Sequence, residues 1–179
     1  MVIAIQRALG DRIQVIQGDI TTMAIDAIVN AANAAMLGGG GVDGAIHRAA
    51  GPELLGECRR IGGCPPGEAR LTHGYRLPAR YVIHTVGPLW RGGDEGEPDT
   101  LAACYLSSLA IAREQGFREV AFPAVATGVY GFPRGDAARI AVAVVSSELA
   151  ANELPERVYF VCFDAATAEA YRRSLSTPG

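Results

Sequence analysis

The chain contains no lysine; all sixteen of its basic side chains are arginine. That absence rules out a phosphate loop of the Gly-Lys-Ser/Thr kind, which needs the ammonium group. Its four cysteines form no Cys-x-x-Cys pair and have no flanking histidines of the kind that bind zinc. They are expected to be free thiols, buried or at the surface, in a reducing compartment. No apolar run approaches the ~20 residues of a membrane span. Residues 1–12 lack the basic segment followed by an apolar one that a signal peptide would have. A cytoplasmic protein with no membrane partner is therefore expected. Basic excess is also missing: a net charge of −3 gives no footprint for nucleic acid.

What is present in excess is glycine at one place. Gly38 to Gly41 are consecutive and are followed by Val42-Asp43-Gly44-Ala45-Ile46-His47. Such a run cannot pack a core or hold regular structure, and it suits a backbone that must approach something closely. Upstream, Ala27-Ile28-Val29 reads as a buried strand that leaves the sheet through Asn30-Ala31-Ala32-Asn33. Downstream, Val42, Ala45, Ile46, Ala49 and Ala50 recur at helical spacing. Strand, glycine loop and helix in that order aim backbone N–H groups and a helix N-terminus at one spot, an arrangement suited to a phosphate. The spaced glycines and later acid of a dinucleotide fingerprint are missing. Asp43 lies in the first helical turn, where the helix dipole favours a carboxylate. Beside an anion it points to chemistry or to a sugar hydroxyl near the phosphate.

The 179 residues, 49 % apolar and 20 % charged, suggest one domain with a sizeable core. Strands are expected at Val2 to Arg7 and Arg12 to Gln17, joined by a turn at Gly10-Asp11, and at Ala27 to Asn30. Further strands are expected at Glu68 to Tyr75, Arg80 to Val86, Val120 to Phe122 and Arg157 to Phe163. Helices are expected over Val42 to Ala50, Glu53 to Arg60 and from a cap at Asp99-Thr100 to Gln115. Two more follow, one from Pro133 to Ala151 and one after Asp164. Trp90 to Pro98 reads as a mobile surface insertion. Asp19 either caps the next turn or accepts a hydrogen bond from an exocyclic amine. Strands alternating with helices make an α/β sheet covered on both faces, with ligands beyond the carboxyl ends of its strands. Both glycine loops, 38–41 and 127–131, leave strands in that direction.

Six ordered motifs now carry a resemblance. Gly-Asp-Ile-Thr (18–21), Ile-Val-Asn-Ala-Ala-Asn (28–33), Gly-Gly-Gly-Gly-Val-Asp-Gly-Ala-Ile-His (38–47), Gly-Glu-Ala (67–69), His-Thr-Val-Gly-Pro (84–88) and Thr-Gly-Val-Tyr-Gly-Phe-Pro (127–133) stand as in macrodomains. The chain most resembles the MacroD-type ADP-ribosyl hydrolases, over nearly its whole length. The resemblance implies a single macrodomain over 1–179, a three-layer α/β/α sandwich with a mixed central sheet, and an ADP-ribose cleft. Asp19, with the Ile20 amide beside it, then resembles the acid that reads adenine N6. Phe163 resembles the aromatic that packs on adenine, against the alternative of a core aromatic. Ala126, Thr127, Gly128, Val129, Tyr130 and Gly131 resemble the loop whose amides hold the diphosphate, with Tyr130 over the distal ribose. Gly40, Gly41 and Val42 would close from the other side, Asn33 would bond distal ribose hydroxyls, and Asp43 would lie beside the anomeric carbon or the ester.

One position departs from the family: Ala126 stands where serine is usual. A lost hydroxyl contact there would weaken phosphate binding by about 1 kcal/mol. His47, His73 and His84 read as structural, although His47 is four residues after Asp43 and could share its helix face. Asp26 reads as a turn or capping residue, and Asn30 as a residue that holds the loop. No added His/Cys ligand set is visible, so neither a metal nor a cofactor is expected. The activity implied is hydrolysis of O-acetyl-ADP-ribose and of mono-ADP-ribose esters on protein Asp or Glu side chains, with Asp43 assisting water and Asn33 positioning the ribose. The alternatives are a non-catalytic ADP-ribose reader and an ADP-ribose 1″-phosphate phosphatase.

Overall fold

A computed structural model of the chain describes residues 9–176. The strand expected at Val2 to Arg7 lies outside them. Six strands form one sheet: β1 (Ile13–Gln17), β2 (Ala27–Ala32), β3 (Ala69–His73), β4 (Tyr81–Val86), β5 (Glu119–Phe122) and β6 (Arg157–Cys162). Their order is β1-β6-β5-β2-β4-β3, parallel except for β3, which runs antiparallel to β4 at the edge. Helices α1 (Gly41–Ala50) and α2 (Pro52–Ile61) cover one face, and α3 (Glu97–Gln115), α4 (Arg134–Ala151) and α5 (Ala165–Ser176) cover the other. This is the expected three-layer α/β/α sandwich with a mixed central sheet.

Side chains alternate along each strand, so every buried strand feeds both layers. Val29, Ile83, Val120, Phe122, Val158 and Phe160 pack under α3, α4 and α5. Ile28, Ala32, Val82, Val86, Ala121 and Val161 pack under α1 and α2 with Ile46, Ala50, Leu54 and Cys58. The first layer is closed by aromatics: Tyr105 lies 5.0 Å from Phe122, and Phe160 lies 4.9 Å from Tyr171, between ring centres. Each such ring taken out of water contributes about 1.5–3 kcal/mol.

Several boundaries differ from those expected. The turn at Gly10-Asp11 is a short 3-10 turn that includes Arg12, which does not begin the strand. Instead the Arg12 guanidinium donates to the carbonyls of Leu149 (2.7 Å), Asn152 (2.9 Å) and Pro155 (2.9 Å) at the end of α4. β2 does not leave the sheet at Asn30; it continues to Ala32 because Asn30, Ala31 and Ala32 still pair with His84, Thr85 and Val86 of β4. β3 is shorter than expected, stopping before Tyr75, whose φ of 53° turns the chain.

The largest correction is at Trp90 to Pro98, which is not a loose insertion. Helix α3 starts at Glu97, ahead of the expected cap at Asp99-Thr100, and no side chain caps it. The buried Glu97 carboxylate accepts hydrogen bonds from the backbone N–H groups of Arg91 (2.9 Å), Gly93 (2.8 Å) and Glu95 (2.6 Å). Burial alone would raise its pKa; these N–H groups and that of Glu97 itself outweigh burial and hold it at about 2. Trp90 packs on Phe132, 4.7 Å between ring centres, and so ties the segment to the second glycine loop. Asp26, read as a turn or capping residue, instead reaches a distant segment: its Oδ2 accepts from the N–H groups of Arg118 (2.8 Å) and Glu119 (3.0 Å) at the start of β5. No described helix is long and apolar enough to cross a membrane.

Candidate functional site

The sheet order reverses between β2 and β5: the chain leaves β4 on one side of β2 and returns as β5 on the other. The loops after these neighbouring strands therefore diverge and leave a crevice. The crevice is a cleft of about 860 Å³, bounded as well by the ends of β1 and β6.

The loop after β2 is built by its own side chains. Asn33 Nδ2 donates to the Gly38 carbonyl (3.0 Å), and Asn33 Oδ1 accepts from the Met36 N–H (3.0 Å). Met36, at φ 60°, buries its side chain under α1 and pins the loop. The chain then enters α1 through Gly39 and Gly40. Here glycine is a requirement of close approach: a Cβ on Gly44 would overlap the Gly39 carbonyl oxygen, and one on Gly39 would lie 3.1 Å from Asp43 Oδ2. The loop thus lies directly on the first turn of the helix.

Asp43 is only 5 % exposed, yet it lines the cleft. Its Oδ1 accepts from Asn30 Nδ2 at 2.8 Å, while Oδ2 is the oxygen turned toward Gly39. Among the described residues no protein group donates to Oδ2. His47 Nε2 lies 3.5 Å from Oδ1 without forming a hydrogen bond. Asn30 is fully buried on β2 and does not reach the cleft; it holds the helix carboxylate. Below lies Cys58, whose thiol is pushed up to about 11 by burial first and then by the charges of Asp43 and Glu57. That thiol stays protonated near neutral pH and is no nucleophile. All four cysteines are buried and unpaired. Among the described residues no three His, Cys, Asp or Glu side chains converge as metal ligands would.

The loop after β5 is built by backbone. Phe132 N–H donates to the Ala126 carbonyl (2.9 Å), Gly131 N–H to Gly128 (3.0 Å), and Trp90 N–H to Tyr130 (2.8 Å). Ala126 adopts φ 66° and is 8 % exposed. Thr127, Gly128, Val129 and Tyr130 line the cleft with it. Gly131 is not part of that lining; it makes the turn, at φ 75°.

At the far end Asp19 caps a 3-10 turn, its Oδ1 accepting from Thr21 N–H (2.9 Å) and hydroxyl (2.7 Å). Asp19 and Ile20 both face the cleft. Phe163 is not a core aromatic: it is 89 % exposed at the cleft edge. The structure thus gathers Asp19, Ile20, Asn33, Gly40, Gly41, Val42, Asp43, residues 126–130 and Phe163 around one cavity.

Sequence reasoning missed Arg48, Arg134, Asp164 and Thr167, which also line it. Arg48 follows Gly44 by one helical turn, and Arg134 opens α4, so their spacing carried a weak signal. Asp164 accepts from the Thr167 N–H (2.8 Å) at the start of α5. That bond, and then the Thr167 side chain, hold its carboxyl below the usual range.

The comparisons agree with this architecture. A family profile described as Macro domain matches residues 29–141. A "Macro domain-containing protein" of Methanosarcina mazei is 57 % identical over 166 residues, 93 % of this chain and 89 % of that protein. An "O-acetyl-ADP-ribose deacetylase" of Citrobacter rodentium is 55 % identical over 175 residues, 96 % of this chain and 99 % of that one. The crystal structure of a Trypanosoma brucei macrodomain in complex with ADP-ribose superposes with a TM-score of 0.87 at 47 % identity, covering 92 % of this chain and 69 % of that one. With its sheet order, its paired glycine loops and these relatives in agreement, the chain belongs to the macro domain family.

Proposed function

We propose that this macrodomain binds ADP-ribose in the cleft and hydrolyses esters carried on its distal ribose, both O-acetyl-ADP-ribose and mono-ADP-ribose on Asp or Glu side chains. One observation carries the reading: Asp43 is a nearly buried carboxylate at the cleft wall with one oxygen bound and the other without a protein donor. A reader module would need no such group, and a carboxylate beside bound phosphates weakens simple anion binding. The deacetylase name of a relative 55 % identical over nearly the whole chain supports the acetyl-ester half of the reading.

In this mechanism the amides of residues 126–130 and of the α1 N-terminus take the diphosphate, which fixes the distal ribose against Asp43. Adenine lies between Asp19 and the exposed ring of Phe163. Asn33, whose side-chain atoms each keep unused hydrogen-bonding capacity, takes a ribose hydroxyl. Asp43 Oδ2 accepts a hydrogen bond from the attacking water. The water oxygen bonds to the ester carbonyl carbon, one water proton passes by way of Asp43 to the ribose oxygen, and the ester C–O bond breaks to give the free carboxylic acid and the ribose hydroxyl. Backbone N–H groups stabilise the charge that develops.

The test is release of acetate from O-acetyl-ADP-ribose, and of ADP-ribose from a protein modified on glutamate, by wild type and Asp43→Ala side by side. Release by wild type only is the expected result. Equal release by both removes Asp43 from the mechanism. Binding of ADP-ribose without release by either makes the protein a reader.

A further inference from the structure

Beneath Asp43, three polar side chains form an unbroken chain across the sheet. Asn30 Nδ2 donates to Asp43 Oδ1 (2.8 Å) and lies 3.1 Å from His84 Nδ1; His84 Nε2 lies 2.9 Å from Thr72 Oγ1; and Thr72 Oγ1 donates to the His73 carbonyl (3.1 Å). Asn30, His84 and Thr72 are at most 1 % exposed. The sheet register causes the contacts. Asn30 and His84 are direct partners on β2 and β4, and Thr72 pairs with Val82, two residues before His84 on the same face.

The donors and acceptors settle the direction of every bond. A carboxylate only accepts, so the Asn30 amide must present its nitrogen to Asp43. The second proton on that nitrogen faces His84 Nδ1, which must then be unprotonated. The imidazole proton is therefore on Nε2 and goes to Thr72, whose hydroxyl proton ends on a fixed backbone oxygen. A flipped Asn30 would set its oxygen against Asp43 Oδ1, acceptor against acceptor. Burial, and next the neighbouring His47, hold the His84 pKa down at about 3 against the opposing pull of Glu57, so the ring stays neutral.

Apart from His47, whose ring centre lies 6.5 Å from that of His84, the chain runs among apolar side chains, Ile28, Ala32, Val82 and Val86 of the strands and Ile46 and Leu54 of the helices. Asn30 Oδ1 is left without a partner there. Apolar side chains at these places would suit stability at least as well. The one end of the chain that meets the cleft is Asp43.

We propose that His84 is a positioning residue for the ester hydrolysis: through Asn30 its Nε2–H tautomer holds Asp43 with one oxygen bound and the other facing the substrate. The role rests on the reading of Asp43 given above. His84→Leu removes the acceptor for Asn30, while His84→Asn restores an acceptor near the position of Nδ1. With O-acetyl-ADP-ribose, His84→Leu should lower kcat by about tenfold or more, with KM and the Kd for ADP-ribose within about twofold of wild type. His84→Asn should recover most of the loss. A folded His84→Leu with wild-type kcat overturns the role, as does a kcat loss that His84→Asn does not relieve. Should His84→Leu fail to fold, Thr72→Val decides: it keeps shape and the imidazole, and a fall in kcat of about threefold at unchanged KM is expected, whereas unchanged kcat overturns the role. An inactive wild type overturns the hydrolase reading instead. The two failures are told apart by ¹⁵N NMR of the wild type, where a proton on His84 Nδ1, or no coupling across the Asn30–His84 hydrogen bond, overturns the positioning role by itself.

Discussion

The two faces of the sheet are built from the same strands but to different standards. Under α3, α4 and α5 the strands present Val29, Ile83, Phe122 and Phe160, and the buried polar side chains there among the described residues are the hydroxyls of Thr85, Ser108, Tyr105 and Tyr171, with Glu97 and Thr167 in the first turns of α3 and α5. Under α1 and α2 the same strands present Asn30 and His84 among apolar neighbours, with Thr72 and Asp43 completing the seam. One face maximises apolar burial. The other gives up part of that burial, and a satisfied oxygen on Asn30, to carry a carboxylate to the cleft. The wholly aromatic and aliphatic clusters and the cleft carboxylate thereby lie on opposite sides of a single sheet.

Mutations should separate these two properties. Phe160→Ala, in the apolar layer, should cost about 3–5 kcal/mol in denaturant unfolding, while the folded fraction keeps its ADP-ribose affinity. A comparable loss of affinity would mean that the layers are not independent. Asp43→Asn should do the reverse. It keeps an oxygen for Asn30 but loses the charge, so kcat should fall by about a hundredfold or more with unfolding free energy little changed. Phe163→Ala tests the exposed ring alone; calorimetry should show ADP-ribose binding weakened by about 1–3 kcal/mol through lost stacking, with no change in melting temperature.

Glu97 asks whether the apolar side also supports the site. Its folded pKa, about 2, lies below the ordinary 4.5, so its contribution is complete above that ordinary value and disappears as pH falls from there toward 2. Glu97→Gln should melt below wild type at pH 7, and the gap should close across that window in a pH series of thermal scans. The smallest effect is expected from Ala126→Ser, which adds a hydroxyl at this place in the cleft lining and should tighten ADP-ribose by no more than about 1 kcal/mol. A larger gain would show that Ala126 had cost the diphosphate loop a principal contact.

Much of the site was readable because it is made of local signals. A run of four glycines between a strand and an amphipathic helix announces its own geometry, and so does Asp43 in the first helical turn. Phe163 was ambiguous because an aromatic at a strand end serves core and cleft equally well until the neighbouring loops are placed. The order of the segment at Trp90 to Pro98 was hidden because polar, glycine-rich residues look mobile unless one sees that a single carboxylate, Glu97, gathers three of their N–H groups. Arg48, Arg134 and Thr167 were missed because each belongs to a helix whose orientation relative to the cleft is not a local property.

By itself the sequence determined the α/β character, the places where strands give way to helices, and the two glycine loops, since periodicity and backbone freedom are properties of short stretches. The tertiary structure alone decided that Asn30, His84 and Thr72, 54 and 12 residues apart in successive contacts, form one hydrogen-bonded chain to Asp43. Strand register brings those side chains together, and register is set by the packing of the whole sheet. A polar residue at an apolar position therefore finds its meaning only once its cross-strand partner is known.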